Sequence, residues 1–203
     1  MVSLPLFVFI QMADAQIQTT QLTPIQLPVG ITYKGHVVNA FSWHDTLGDN
    51  LLIETETGDF KSKNATDDSR DAELYAYHYI LTKDTFQLIS KVADYVHECE
   101  FDITCKFIKG ATSVTDLDGN GISEIWVMYK TACRSDVSPA TMKIVMYENK
   151  TKYSIRGRNK IEMNEHSFEG GEMSMDGTFQ NGNVLFKKYA TDLWNKNILE
   201  NFK

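Results

Sequence analysis

The stretch from Val114 to Tyr129 restricts the possible folds most, because a row of oxygen-bearing side chains there leads directly into apolar residues. Alternate residues at its start carry an oxygen, a glycine then permits a sharp turn, and an acidic residue precedes the apolar run. A hard cation such as Ca²⁺ takes about six to eight oxygen ligands, which a loop of this spacing supplies. We call residues 116–124 the ion loop and predict one Ca²⁺ site there. Its predicted ligands are the side chains of Asp116, Asp118, Asn120 and Glu124 and the main-chain carbonyl of Ile122.

Two known kinds of calcium loop resemble this spacing. The first six positions, D-x-D-x-N-G, match the start of an EF-hand loop, but the twelfth position is Val127, where an EF-hand carries a bidentate glutamate. A loop followed at once by a strand resembles instead the calcium loops of FG-GAP repeats in integrin-type propellers. One such loop does not supply the several blades that a propeller needs. A metal-free turn stays open as the alternative, because Asp, Asn and Gly are also ordinary turn formers.

Alternating apolar and polar residues elsewhere predict strands. In the run from Glu73 to Ile80, three tyrosines face one side and mostly aliphatic residues face the other. We call Tyr75, Tyr77 and Tyr79 the tyrosine stripe. An exposed stripe is suited to stacking on sugar rings, whereas a covered one packs against a neighbouring element. The sequence leaves both possibilities open.

Two stretches have the spacing of amphipathic helices. Asp84 is a suitable N-cap for a long helix from Thr85 to Glu98, whose apolar residues recur every three or four positions. A shorter C-terminal helix is predicted around residues 189–198. The resulting order of strands, helix, strands and helix is not a strict βαβ alternation. We therefore predict an α+β fold, with a mainly antiparallel sheet and with the long helix and the C-terminal helix packed on one face.

Residues 1–15 have the pattern of a secretory signal peptide. The apolar run from Leu4 to Ile10 precedes Ala13-Asp-Ala15, which is an A-x-A cleavage pattern. A buried N-terminal strand is the alternative, and the run is too short to span a bilayer. We expect cleavage after this segment, export to the periplasm or the extracellular space, and a single α+β domain at residues 16–203 without a transmembrane segment.

The net charge of −7 over 203 residues limits the classes of partner. Nucleic acids and anionic membrane surfaces are bound by basic patches, so an acidic excess argues against both. The same excess is compatible with a site for a cation and with a well-solvated surface.

The three cysteines allow at most one disulfide within the chain, and an exported protein meets an oxidising compartment in which such a bond forms. Cys99 and Cys133 both lie near the predicted ends of elements. Cys105 lies within an alternating run and has the pattern of a strand residue that faces the core. We favour a bond between Cys99 and Cys133, with Cys99–Cys105 as the alternative pairing.

Five segments of the chain have a familiar combination of residues: Trp43 to Gly58, Asp71 to Tyr79, Val114 to Lys130, Asp136-Val-Ser-Pro139, and Met142 to Gly157. Together they resemble a family of small exported bacterial proteins that is associated with surface polysaccharide biosynthesis. The resemblance implies a role in the cell envelope, and cell-surface glycans or envelope proteins as partners. It implies neither a known reaction nor a catalytic residue.

The sequence contains no familiar catalytic motif. A G-x-S-x-G elbow, an H-E-x-x-H pair and a P-loop are all absent, and the five histidines are scattered. Our leading hypothesis is therefore a non-enzymatic, exported protein with one structural Ca²⁺, acting in surface polysaccharide biosynthesis or glycan binding. The competing hypothesis is a carbohydrate-active enzyme that uses a pair of carboxylates near the ion loop.

Overall fold

Extended strands dominate the part of the chain that the structure, a computed structural model, describes, namely residues 16–63, 68–82, 85–164 and 167–200. The predicted signal peptide and the predicted N-cap Asp84 lie outside these residues. The strands are β1 (Thr20–Gln21), β2 (His36–Asp45), β3 (Gly48–Glu56), β4 (Phe60–Lys61), β5 (Arg70–Thr82), β6 (Thr85–Cys99), β7 (Asp102–Phe107), β8 (Ser113–Thr115), β9 (Glu124–Arg134), β10 (Thr141–Glu148), β11 (Thr151–Arg158), β12 (Lys160–Asn164), β13 (Ser167–Gly170), β14 (Met173–Met175) and β15 (Leu199–Glu200). The helices are α1 (Gly177–Asn181) and α2 (Val184–Asn197), with a 3-10 turn at Pro24–Gln26. Neither α-helix in the described ranges is long and apolar enough to cross a membrane.

Two antiparallel sheets form the body of the molecule. In the first sheet, β1, β2, β3 and β5 follow one another, and Arg70 of β5 pairs with both Lys61 of β4 and Cys99 of β6. The strands β4 and β6 therefore lie on opposite sides of β5. The second sheet has the order β14-β11-β10-β9-β7, and β8 pairs with the beginning of β9. A small third sheet has the order β13-β12-β15, with a parallel pair between β12 and β15.

The two large sheets pack face to face, and further apolar residues cover parts of their outer faces, so that the described residues form layers. The core between the two sheets contains Trp43, Leu52, Leu74, Val92, Val96, Val114, Ile125, Val127, Tyr129 and Val145. The other face of the second sheet packs against the helices through Trp126, Met128, Met142, Ile144, Phe179, Phe186, Ala190 and Trp194. Part of the outer face of the first sheet is covered by apolar residues of the segment before β2, among them Leu22, Leu27 and Ile31. Because β9 is buried on both faces, its run from Ile125 to Tyr129 is apolar without alternation.

The α+β prediction with one long helix is wrong, because residues 85–98 form strand β6 and not a helix. Tyr79 pairs with Leu88 and His78 pairs with Ser90, which leaves Ile89 as an extra residue, a β-bulge. An extra residue moves all later side chains to the opposite face of the strand. Phe86 consequently packs on the outer face of the sheet and Val92 on the inner face. The bulge produces the spacing that resembled a helix, and the fold consists mainly of antiparallel sheets with two short helices.

The tyrosine stripe of β5 is mostly covered. Tyr77 and Tyr79 are buried and Tyr75 is half-buried. The backbone N–H of Lys34 donates a hydrogen bond to the Tyr77 hydroxyl (3.1 Å), and the Tyr79 hydroxyl donates one to the carbonyl of Thr32 (2.7 Å). The segment before β2 is thus fixed on the stripe. The packing interpretation of the stripe fits these contacts, and the sugar-stacking interpretation does not.

The predicted disulfide between Cys99 and Cys133 is confirmed. Cys99 ends β6 of the first sheet and Cys133 lies near the end of β9 of the second sheet, so the bond joins the two sheets. The two cysteines are 34 positions apart, and the ion loop lies between them. Cys105 is free and buried, and burial raises the pKa of its thiol to about 12. A thiol with so high a pKa is almost entirely protonated at neutral pH, and the thiolate is the form that reacts. This agrees with the core role predicted for Cys105.

Candidate metal centre

The ion loop connects β8 to β9 of the second sheet. Glu124 is the first residue of β9 and is fully buried, whereas Asp116 is half-buried and Asp118 is exposed. One carboxylate oxygen from each of these three residues lies within 4.8 Å of the other two. The fold therefore brings together three of the five predicted ligands, at a point where the chain passes from the surface into the core.

Asp116 has a carboxylate oxygen that no described protein group satisfies. The backbone N–H of Gly121 donates a hydrogen bond to its Oδ2 (3.1 Å). Its Oδ1 is buried and has no hydrogen-bond partner. A buried polar atom left unpaired costs roughly 1–3 kcal/mol, and more when it is charged. A cation among the three carboxylates would remove this cost, so the donor set fits a hard metal ion.

Glu124 is held by hydrogen bonds from the beginning of the loop. The Thr115 hydroxyl donates to its Oε2 (2.6 Å), and the backbone N–H of Leu117 donates to the same oxygen (2.9 Å). Burial raises the pKa of this carboxyl to about 7; the hydrogen bonds from Thr115 and Leu117 lower it, and the neighbouring charges of Asp118 and Asp116 raise it. A bound divalent cation would reverse this balance, since a positive charge favours the ionised carboxylate.

Asn120 stabilises the turn from within. Its Oδ1 accepts a hydrogen bond from the backbone N–H of Ile122 (2.7 Å), and its Nδ2 donates to Asp118 (3.2 Å) and to Glu148 of β10 (2.6 Å). These bonds fix the amide beside the Asp118 carboxylate. Metal ligation by the Asn120 side chain and by the Ile122 carbonyl stays a prediction.

The ion loop is anchored on the β2–β3 hairpin of the first sheet. The backbone N–H and the hydroxyl of Thr46 both donate to the Gly121 carbonyl (2.9 and 2.7 Å). Asp45 accepts hydrogen bonds from the backbone N–H (3.1 Å) and the hydroxyl of Ser123, and the Trp43 indole N–H donates to that hydroxyl (2.8 Å). The hairpin therefore supports the loop from 75 or more residues away in the sequence.

Gly121 fits this contact for a steric reason. Its backbone has φ +80°, a conformation that residues with a Cβ rarely adopt. A Cβ at this position would meet the Thr46 methyl group at 2.5 Å. The glycine in the D-x-D-x-N-G pattern therefore serves both the turn and the close approach of the hairpin.

Burial opposes ionisation of Asp45, but hydrogen bonds from Ser123, Asn50 and Leu47 outweigh it and hold the pKa of Asp45 below its ordinary value. We expect Asp45→Ala to lower the free energy of unfolding by about 2 kcal/mol, because it leaves the buried N–H and hydroxyl of Ser123 without their acceptor. Urea unfolding followed by tryptophan fluorescence measures the loss. Asp49→Ala is the matched control on the same hairpin, since its side chain is 67% exposed and pairs with exposed His44. Equal effects of the two substitutions would contradict the anchoring role of Asp45.

A second chain of contacts connects the loop to the helical layer. The Trp126 indole N–H donates to the Thr115 hydroxyl (2.8 Å), which in turn donates to Glu124. Trp126 is fully buried and its ring packs against Phe179 and Tyr189. The carboxylate at the end of the loop is therefore oriented by the core on the far side of the second sheet.

Comparison of the chain with protein-family models, with curated proteins and with solved structures finds no match. The candidate centre combines three converging carboxylates, a buried oxygen on Asp116 that no described group satisfies, and a turn closed by Asn120. Oxygen donors of this kind suit Ca²⁺ better than zinc or copper, which prefer nitrogen and sulfur ligands.

Proposed function

We propose that this chain is an exported, non-enzymatic protein of the cell envelope in which one structural Ca²⁺ orders the ion loop. The buried, unpartnered Oδ1 of Asp116 beside two further carboxylates carries the proposal. The ion would neutralise three negative charges in a single turn and so remove a repulsion that opposes folding of the loop.

A structural role for the ion agrees with the position of the loop. The loop contacts the first sheet through Thr46 and Asp45, and it is tied through Glu124 to Thr115 and Trp126. Ordering the loop therefore stabilises contacts to both sheets and to the helical layer. An ion in this place acts on the fold as a whole.

Two observations support export and an envelope role. Disulfides persist in oxidising compartments, and Cys99 and Cys133 form one. The signal-peptide pattern of residues 1–15 is consistent with the same compartment. The resemblance to exported proteins of surface polysaccharide biosynthesis adds glycans or envelope proteins as the class of partner.

Thermal unfolding of residues 16–203 in chelator and in CaCl₂ tests the ion. A ligand that binds the folded chain alone stabilises it by about 2 kcal/mol when its free concentration is about thirtyfold above Kd. We expect the Tm to rise with Ca²⁺ concentration, and to rise less with Mg²⁺, which demands octahedral geometry and loses water reluctantly. Asp116→Ala and Asp118→Ala should each abolish the increase.

The controls separate ligation from general stability. Asp192→Ala removes an exposed carboxylate on α2 that pairs with Lys188, and it should leave the Ca²⁺-dependent increase intact. Asp45→Ala should lower the Tm in chelator and in Ca²⁺ alike, because Asp45 is not a ligand. A wild-type Tm that does not respond to Ca²⁺, together with no heat of binding in calorimetry, would leave only the metal-free turn.

A further inference from the structure

A cavity of about 650 Å³ opens between the first sheet and the connection from β7 to β8, apart from the ion loop. Volumes of this size are typical of sites for small molecules. Its walls come from β1, β2 and β3 on one side and from residues 106–110 on the other. The lining residues that matter for its chemistry are Asn39, Phe41, Glu54, Glu56, Lys106 and Phe107.

Glu54 lines this cavity and is 1% exposed. The Thr112 hydroxyl donates to its Oε1 (2.6 Å) and the Asn39 amide donates to its Oε2 (3.1 Å). The Gln21 amide donates in turn to Asn39 (2.7 Å), so that a row of polar groups leads from the buried carboxyl to exposed β1. Burial raises the pKa of Glu54 to about 7, and the charge of Glu56 adds to the shift.

Glu56 brings a second carboxylate to the same wall, because residues two apart on a strand face the same side. The backbone N–H of Phe107 donates to its Oε1 (2.9 Å), which fixes the carboxylate across the opening. Lys106 and Lys109 are exposed and also line the cavity. Two lysines opposite two carboxyls leave little net charge, so the cavity favours neither a cation nor an anion.

Apolar groups complete the lining. The rings of Phe41 and Phe107 are half-buried, and Val38 is 49% exposed at the rim. A site with acceptors, donors and apolar ring faces, but without net charge, matches a ligand that carries hydroxyl groups around an apolar C–H face. Saccharides have this chemistry, whereas a charged peptide or a fatty acid does not.

We propose that this cavity is a binding site for a neutral oligosaccharide, with its hydroxyl groups bonded to Glu56, Asn39 and the two lysines and its C–H face against Phe41 and Phe107. The inference deepens the proposed binding role in the envelope and depends on it. Binding is favoured over hydrolysis because both oxygens of Glu54 already accept hydrogen bonds and its carboxyl is almost completely buried. A general acid has to reach the glycosidic oxygen of its substrate.

The test is an array of neutral oligosaccharides, followed by calorimetry with the strongest ligand, on residues 16–203 in Ca²⁺. We expect wild type to bind, and Glu56→Ala to weaken binding on the order of tenfold, as loss of a hydrogen bond to a charged group does. Val38→Trp should block the opening to a similar extent without removing a buried side chain. His44→Ala, on the rim of a different cavity, should leave the affinity unchanged.

Each outcome bears on the inference. No binding to the array, with the Ca²⁺-dependent increase in Tm intact, would overturn the saccharide site and leave the proposed structural ion standing. Binding that is insensitive to both Glu56→Ala and Val38→Trp would also overturn it, because the site would lie elsewhere. New reducing ends in the bound sugar, lost in Glu56→Ala, would support the site and overturn the non-enzymatic role.

Discussion

Replacing both Cys99 and Cys133 by serine is expected to lower the free energy of unfolding by about 4 kcal/mol, which is the chain-entropy cost of reopening a loop of this length. The cysteines are 34 positions apart, and the bond joins the end of β6 to β9. Loss of the bond therefore removes one covalent link between the two sheets and releases the segment that holds the ion loop. Urea unfolding monitored by far-UV circular dichroism measures the loss.

Cys105→Ala is the matched control. Cys105 is buried in the core between the sheets but carries no bond, so its replacement removes only one sulfur from that core. We expect a loss of about 1 kcal/mol, as for other small truncations of buried side chains. A double-serine variant no less stable than Cys105→Ala would contradict the stabilising role assigned to the bond.

The pairing of Cys99 with Cys133 was predictable, because the sequence patterns around both cysteines indicate that they lie near the ends of secondary-structure elements. Strand β6 was not predictable, because Phe86, Ile89, Val92 and Val96 follow helical spacing. One bulged residue, Ile89, converts the two-residue period of a strand into that spacing. The bulge depends on the partner strand β5, and no residue within 85–98 indicates it. The period of a single segment is therefore ambiguous wherever a strand changes the face that it buries.

The convergence of the three carboxylates in the ion loop was predictable because it depends on local sequence. Asp116, Asp118 and Glu124 lie within nine residues, and the turn at Gly121 suffices to bring them together. The support of the loop is not local, since Thr46 lies 75 positions from the carbonyl that it binds. Only the packing of the two sheets brings these groups into contact. A sequence pattern indicates a donor set of this kind but not the elements that hold it in place.

The cavity around Glu54 had no signal in the sequence. Glu54 and Glu56 occupy alternate positions of β3, as solvent-facing residues of a strand usually do. Glu54 is nevertheless buried, because Thr112, 58 positions later, covers its carboxyl. The burial of an acidic residue at a polar position of a strand results from the second sheet packing over it, and this cannot be read from the period of the strand.

Glu54→Gln is expected to stabilise the protein at pH 8 by up to about 3 kcal/mol. The pKa of Glu54 is about 7 in the folded chain, against 4.5 for an ordinary glutamate. Between these two values the folded state binds more protons than the unfolded state, so the free energy of unfolding falls as the pH rises from about 4.5 to 7. Glutamine has no proton to lose, and this part of the pH dependence disappears in the variant.

Glutamine also preserves the hydrogen bonds of the site. Its Oε1 accepts from the Asn39 amide, and its Nε2 donates to the Thr112 hydroxyl, which accepts as readily as it donates. Chemical denaturation of wild type and variant from pH 4 to pH 8 measures the difference, which should be close to zero at pH 4 and largest at pH 8. Glu56→Gln is the control, because the Glu56 side chain is only half-buried and its replacement leaves the carboxyl of Glu54 in place. A stability difference for Glu54→Gln that is the same at every pH would show that the pKa of Glu54 is the same in the folded and unfolded chains, so that burial does not raise it.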